Sequence, residues 1–356
     1  MAFNKIHVIR ILILNIIFLA LIANANARVE ISDFFSDFTS ADVTLNSSED
    51  LNGDAVFELF YAGDLVESHK VSFNINANMV ISRVIFWEEK PTHDYYTAKI
   101  SIFDDGKLLT NKSYQISYGT VSLPGFHVVD FTPSNKGIQM LLRPFNPSVA
   151  DIRFELIEDN DIVYTETKDA VSLSTVTDIQ TTWPFVLLNN RKYYVRAKIF
   201  THRLNAPPLI NTYIADFIAK EDVEILRDDV QVDEYGASVT IRGKSQVPFD
   251  GFILVKARNK VTNETQIFQA RMEEILVTGK EDTAGIVWKG MAPGTYDVEI
   301  LAEDQENVAL DKYETVLRIP ESSADVTSTP SKAGPGFEAF LFIIIIAFIW
   351  RSKGGS

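Results

Sequence analysis

Residues 98–102 read Ala-Lys-Ile-Ser-Ile, residues 195–199 Val-Arg-Ala-Lys-Ile, and residues 298–301 Val-Glu-Ile-Leu. Apolar and polar side chains alternate in all three, the period of two that a strand with one buried face imposes. Each run follows a tyrosine, Tyr96, Tyr194 or Tyr296. Each then passes a polar turn into a second run, at 115–118, 212–219 and 314–319. Turn signals punctuate the rest, among them Asn52-Gly53, Asp104-Asp105-Gly106 and Pro207-Pro208. No useful helical period occurs away from the two ends. The pattern predicts an all-β chain.

The runs belong to a repeat. Phe57-Glu58-Leu59-Phe60 returns ninety-seven residues later as Phe154-Glu155-Leu156-Ile157, each followed by a hairpin-like turn. Trp87 returns as Trp183, and Tyr95-Tyr96 as Tyr193-Tyr194. A weaker third copy is in phase, with Phe252-Ile253-Leu254-Val255, Trp288 and Tyr296. Three sandwiches are predicted, over residues 28–122, 123–219 and 220–320. Seven strands per hundred residues with a core Trp and a late Tyr describe an immunoglobulin-like or fibronectin-III-like β-sandwich. The chain has no cysteine, so the disulfide of true immunoglobulin domains is missing and the fibronectin-III-like form fits better. Trp87, Trp183 and Trp288 are expected to pack between sheets. Tyr96, Tyr194 and Tyr296 are expected to bond the backbone upstream as tyrosine corners.

The two ends differ from the middle. Lys5 and Arg10 precede an apolar stretch at 11–23 and the ladder Ala23-Asn24-Ala25-Asn26-Ala27. That is the layout of a secretory signal peptide over 1–27, cleaved after Ala27 or, alternatively, Ala25. At the other end a Ser/Thr/Pro-rich linker, 321–334, leads to Pro335-Gly336-Phe337. The apolar run 339–350 and the basic residues Arg351 and Lys353 follow. A helix over 337–350 measures about 21 Å at ~1.5 Å per residue. A bilayer core needs ~20 residues, so the segment inserts but is short for a permanent anchor. Arg351 and Lys353 hold its far end in the cytoplasm.

Linker, tripeptide, apolar helix (338–350) and positive tail in this order resemble the PGF-CTERM sorting signal of archaeal surface proteins, here 335–356. The resemblance implies that an archaeosortase removes the helix and joins the new C-terminus to a membrane lipid. With these ends, the chain as a whole resembles the tandem β-sandwich surface proteins of methanogenic archaea, whose domains are uncharacterised. The plain alternative is a transmembrane anchor that is never cut.

The net charge of −15 sharpens the picture. The first 27 residues carry +2 and those from Phe337 onward +1, which leaves −18 between them. Such a surface repels nucleic acid and anionic lipid head groups. Absence of cysteine excludes thiol catalysis, thiolate metal sites and iron–sulfur chemistry. His69, His93, His127 and His202 share no short spacing, so no zinc or metalloprotease pattern forms. Asp50, Asn52 and Asp54 match positions 1, 3 and 5 of a calcium loop, but Ala55 and Tyr61 stand where glycine and glutamate are needed. That stretch reads as a turn. Asn46, Asn111 and Asn263 head N-glycosylation sequons, the latter two in predicted polar turns. The linker at 322–331 also suits O-glycosylation.

The sequence therefore predicts a non-enzymatic, cofactor-free surface protein, exported and anchored at its C-terminus. Its three sandwiches would serve adhesion, envelope structure or partner binding. The expected partners are signal peptidase, an archaeosortase-type enzyme, membrane lipid and surface-layer or other envelope proteins. The second reading is an extracytoplasmic accessory subunit of a membrane complex, held by an uncleaved helix. Sandwich function resides in loops that follow no general code.

Overall fold

The computed structural model describes residues 28–90, 92, 95–117 and 124–321. The signal segment with Ala25 and Ala27, His93, the 122/123 boundary, and nearly all of the linker and sorting signal (Pro335, Gly336, Phe337, Arg351, Lys353) lie outside the described residues. Among the described residues no helix is long and apolar enough to cross a membrane.

The first unit holds β1 (Val29–Ser36), β2 (Ser40–Ser47), β3 (Leu51–Tyr61), β4 (Asp64–Ile75), β5 (Val80–Phe86), β6 (Tyr95–Asp104) and β7 (Lys107–Ser117). Strands β1-β2-β5 form one sheet and β4-β3-β6-β7 the other. The second unit repeats this with β8 (Phe126–Pro133), β9 (Gly137–Pro144), β10 (Ser148–Glu158), β11 (Asp161–Leu173), β12 (Thr177–Thr182), β13 (Lys192–Arg203) and β14 (Ala206–Ile218), as β8-β9-β12 and β11-β10-β13-β14. In the third, a 3₁₀ turn at Arg227–Asp229 splits the first strand into β15 (Val223–Ile225) and β16 (Gln231–Val232). These and β20 (Glu281–Val287) flank β17 (Gly236–Gly243). The opposing sheet is β18 (Phe252–Asn259) and β21 (Gly294–Glu303) at the centre, with β19 (Thr265–Arg271) and β22 (Ala309–Ile319) at the edges. The fourth strand lies with the third, sixth and seventh, whereas constant immunoglobulin domains keep it with the first, second and fifth.

Alternation builds the cores. Ala41, Val43 and Leu45 of β2 face Phe57 and Leu59 of β3 and Ala98, Ile100 and Ile102 of β6. The second core centres on Phe154, Leu156, Val195, Ala197 and Ile199, and the third on Val255, Ala257, Val298 and Ile300. Each tryptophan follows the fifth strand of its unit and clamps the loop between the first two. Trp87 N–H donates to Thr39 O, Trp183 N–H to Lys136 O and Trp288 N–H to Tyr235 O, at 3.1, 3.0 and 3.2 Å. The indole nitrogens donate to Ser36 Oγ at the end of β1 and to Ser134 O and Glu234 O of the corresponding loops, at 3.0, 2.8 and 3.2 Å.

Four expectations need correcting. Tyr193, 2% exposed, is the core tyrosine of the second unit, and its hydroxyl accepts from Leu188 N–H at 3.3 Å. Tyr194 points the opposite way, as strand alternation requires, and meets Phe86 at 4.7 Å. The equivalents are Tyr96, bonded to Thr92 N–H, and Tyr296, which donates to Ala292 O. The third repeat enters register three residues late: Val255, and not Phe252, matches Phe57 and Phe154, opposite Ile300, Ile100 and Ala197. Asn52-Gly53 lies inside β3, where a Cβ on Gly53 would stand 2.6 Å from Phe103 O; the glycine serves close approach and not a turn. Pro207-Pro208 lies in edge strand β14, where a missing N–H is tolerated, and the turn falls at Asn205 with φ of 54°. Asp105 and Gly106, at φ of 46° and 76°, form the expected β6–β7 turn.

Candidate functional site at the joints between sandwiches

One cross-strand ion pair recurs on the outer face of all three larger sheets. Glu58 lies directly opposite Lys99, Glu155 opposite Arg196, and Lys256 opposite Glu299. The pairs close at 3.2, 2.6 and 3.8 Å, the third with its charges exchanged. Opposite charges facing across a ladder stabilise pairing. In the first and third units the pair is solvated, with Lys99 and Lys256 side chains 38% and 35% exposed. In the second it is buried.

The first sandwich covers it. Asp42 alternates with the core residues of β2 and so points outward, yet it is 5% exposed because it meets the outer face of β10 and β13. Arg196 Nη1 donates to Asp42 Oδ1 at 2.9 Å and to Ser40 Oγ at 3.1 Å, and Nε donates to Glu155 Oε2 at 2.7 Å. Lys198 Nζ donates to Asp42 Oδ1 at 2.5 Å and lies 4.4 Å from the Phe35 ring centroid. Glu155, Arg196 and Lys198 are all under 4% exposed. The cluster is neutral as two carboxylates and two cations, which is the condition for burying it. Burial disfavours the Arg196 charge, but Asp42 and then Glu155 outweigh it and hold its pKa above the ordinary value. Burial, and then the Arg196 charge, push Lys198 below its ordinary value, with Asp42 and Glu155 offsetting only part.

The rim of this joint is also built from local chemistry. The turn at Asp159 and Asn160, both at positive φ, brings the β10–β11 hairpin tip against the edge of β5. Val84 N–H donates to Asn160 O at 2.9 Å, Asn160 Nδ2 returns to Val84 O at 2.7 Å, and Arg83 pairs with Asp161. Through this single register pair the smaller sheet of the first unit continues into the larger sheet of the second. Thr212 of β14 bonds Asp37 and Thr39 of the β1–β2 loop.

The second joint uses main chain. Gln246 N–H donates to Asn135 O, and Leu187 N–H donates to Gln246 O, both at 3.0 Å. Val247, next in the chain, is 1% exposed inside the core of the second sandwich. Glu221 bridges the units, accepting from Asn189 Nδ2 at 3.1 Å and Asp250 N–H at 3.0 Å. Burial, and then the like charges of Asp304 and Asp250, raise its pKa above 4.5. A raised carboxyl stabilises the fold fully below the unfolded value, and that contribution is lost as pH rises through the folded one. Thermal melts of Glu221→Gln should therefore gain on the native chain as pH rises from 4.5 to neutrality. Parallel curves would remove Glu221 as the cause.

The other singled-out residues stand apart. Asn46, on β2, Asn111 and Asn263 are all exposed. Asn111 lies within strand β7, whereas Asn263 sits in a turn at φ of 60°. Asp50 accepts from Ala77 N–H at 2.7 Å, while Asn52 and Asp54 belong to strand β3, so the calcium-like spacing is spent on sheet structure. His69 pairs with Glu67 and packs on Trp87, His202 lies 2.8 Å from Asp151, and His127 borders an apolar groove beside Phe145 and Tyr213. Among the described residues no three His, Asp or Glu side chains converge to hold a metal ion. Sequence reasoning missed Asp42, Arg196 and Lys198. The signal available was two cations at alternate positions, 196 and 198, where the third copy has Glu299 and Leu301.

No family model matches the chain, and no curated protein matches it. Among solved structures it is similar to a tetra-tandem repeat from the extending region of a large adhesion protein. That likeness has 12% identity, covers 81% of this chain and 73% of the other, and has a TM-score of 0.25. A 1.5-MDa bacterial ice-binding adhesin gives 12%, 79%, 89% and 0.20. Native E. coli alpha-2-macroglobulin gives 10%, 87%, 23% and 0.21. The fold is defined by the strand order of the paired sheets.

Proposed function

We propose that the chain is an exported, non-enzymatic surface protein whose three sandwiches form one stiff stalk. It is held to the membrane at its C-terminus and presents the stalk for adhesion, envelope structure or partner binding. The observation that carries the stalk is that both joints are closed by buried contacts: the Asp42–Arg196–Glu155–Lys198 cluster at one, Val247 and its flanking backbone bonds at the other. Domains meant to swivel are normally joined by exposed linkers with few crossing contacts. Exposure of Asn46, Asn111 and Asn263 supports glycan attachment on such a surface.

The anchoring half rests on the ends of the sequence. Export implies signal peptidase, and the PGF-CTERM resemblance implies an archaeosortase-type enzyme and a lipid acceptor. Lipid chains contribute about 0.8 kcal/mol per buried CH₂, which replaces a marginal helix. Intact-mass measurement of the membrane-bound protein should find a chain that begins near Arg28, lacks residues 339–350 and carries a lipid. Recovery with Trp350 and Lys353 attached would leave the uncleaved transmembrane anchor, and the accessory-subunit reading, in its place. Recovery with Met1 attached would remove cleavage of the signal.

A further inference from the structure

The ionic cluster at the first joint brings an amine and a carboxyl together under conditions unlike those of a surface ion pair. Lys198 Nζ stands 2.5 Å from Asp42 Oδ1, and the two residues are 3% and 5% exposed. They come from different sandwiches, 156 positions apart in the chain. The Phe35 ring caps the amine at 4.4 Å. Arg196 donates to the same Asp42 oxygen at 2.9 Å, and a second buried carboxylate, Glu155, balances the arginine.

We propose that Lys198 and Asp42 condense to an amide that joins the first sandwich covalently to the second. The ammonium of Lys198 gives up a proton that comes to rest on Oδ2 of the Asp42 carboxylate, leaving a neutral amine and a carboxylic acid whose carbonyl oxygen is Oδ1. The nitrogen lone pair then attacks Cγ, and the resulting oxyanion forms where Arg196 already donates. A second proton passes from nitrogen to the departing hydroxyl. The C–O bond breaks, the C–N bond remains, and one water leaves. No oxidant, reductant or external group is needed.

Three features favour the step. Holding the reactants in contact replaces a bimolecular encounter, and well-oriented intramolecular pairs reach effective concentrations on the order of 10⁵ M and above. A donor fixed at the developing charge requires no reorganisation. Desolvation and the neighbouring Arg196 charge weaken the hold of Lys198 on its proton. Among the three equivalent ion pairs only this one combines burial with a carboxylate from another unit, so the cross-link is specific to the first joint.

The test is the intact mass of the folded native chain, followed by a tryptic map after unfolding. A cross-linked protein should be lighter than its sequence by one water. Trypsin cuts after Arg28, Lys70, Arg196 and Arg203 but not after an acylated lysine, so it should release residues 29–70 joined to residues 197–203. Lys198→Met should restore the full sequence mass, whether or not the joint still closes. A native chain of full mass whose Lys198 is cut by trypsin would overturn the proposal. So would a water loss that maps elsewhere, for instance to a succinimide.

Discussion

Trp183→Ala is expected to cost about 3–5 kcal/mol and to open the second sandwich first. Trp183 is 1% exposed, stacks on Phe217 at 6.2 Å with the rings 7° apart, and meets Tyr164 edge-on at 6.1 Å. Truncation removes the largest buried side chain in the unit and leaves a cavity that Phe217, held also by Tyr193, cannot fill. It also strips Ser134 O of its indole donor and loosens the loop that carries Asn135 to the second joint. Urea unfolding followed by circular dichroism measures the cost, and amide exchange assigns it to a unit. A loss below about 1 kcal/mol, or equal loss of protection in all three units, would contradict the role given to this residue.

Arg196→Met is the second large effect. It leaves the buried Glu155 carboxylate without the cation that pairs with it, and breaking a buried pair on one side typically costs about 3–5 kcal/mol. The damage should concentrate at the first joint, seen as faster exchange of Val84 N–H, whose acceptor is Asn160 O across the seam. Lys99→Met is the internal control, because it removes the register-equivalent cation where the pair is solvated. Exposed pairs contribute roughly 0–1 kcal/mol. Equal effects at 99 and 196 would mean that the first sandwich does not cover the second in solution.

These expectations rest on different amounts of sequence. The β class and the repeated Trp were legible because a half-buried strand must alternate and each unit needs one large side chain in the same place. Register was legible to within one residue at the second tyrosine and was three residues off in the third unit. Tyr193 and Tyr194 are adjacent and chemically identical, so composition could not say which faces inward. Alternation does: Tyr193 shares the apolar face of Val195, Ala197 and Ile199, and the pairing of Leu156 with Val195 agrees. Asn52-Gly53 misled for a similar reason. Glycine signals either a turn or close backbone approach, and the choice depends on Phe103, fifty residues away.

The sequence by itself determined that this chain alternates like a sandwich protein, repeats three times and carries an acidic middle between two apolar ends. Those are local or periodic properties, fixed by neighbours along the chain. Tertiary structure alone decided which polar positions are solvated. Glu58–Lys99 and Glu155–Arg196 are indistinguishable as strand patterns, yet one faces water and the other lies under Asp42. Burial of an outward-facing residue depends on a second sandwich arriving from more than 150 positions away, and no period within either strand records that arrival.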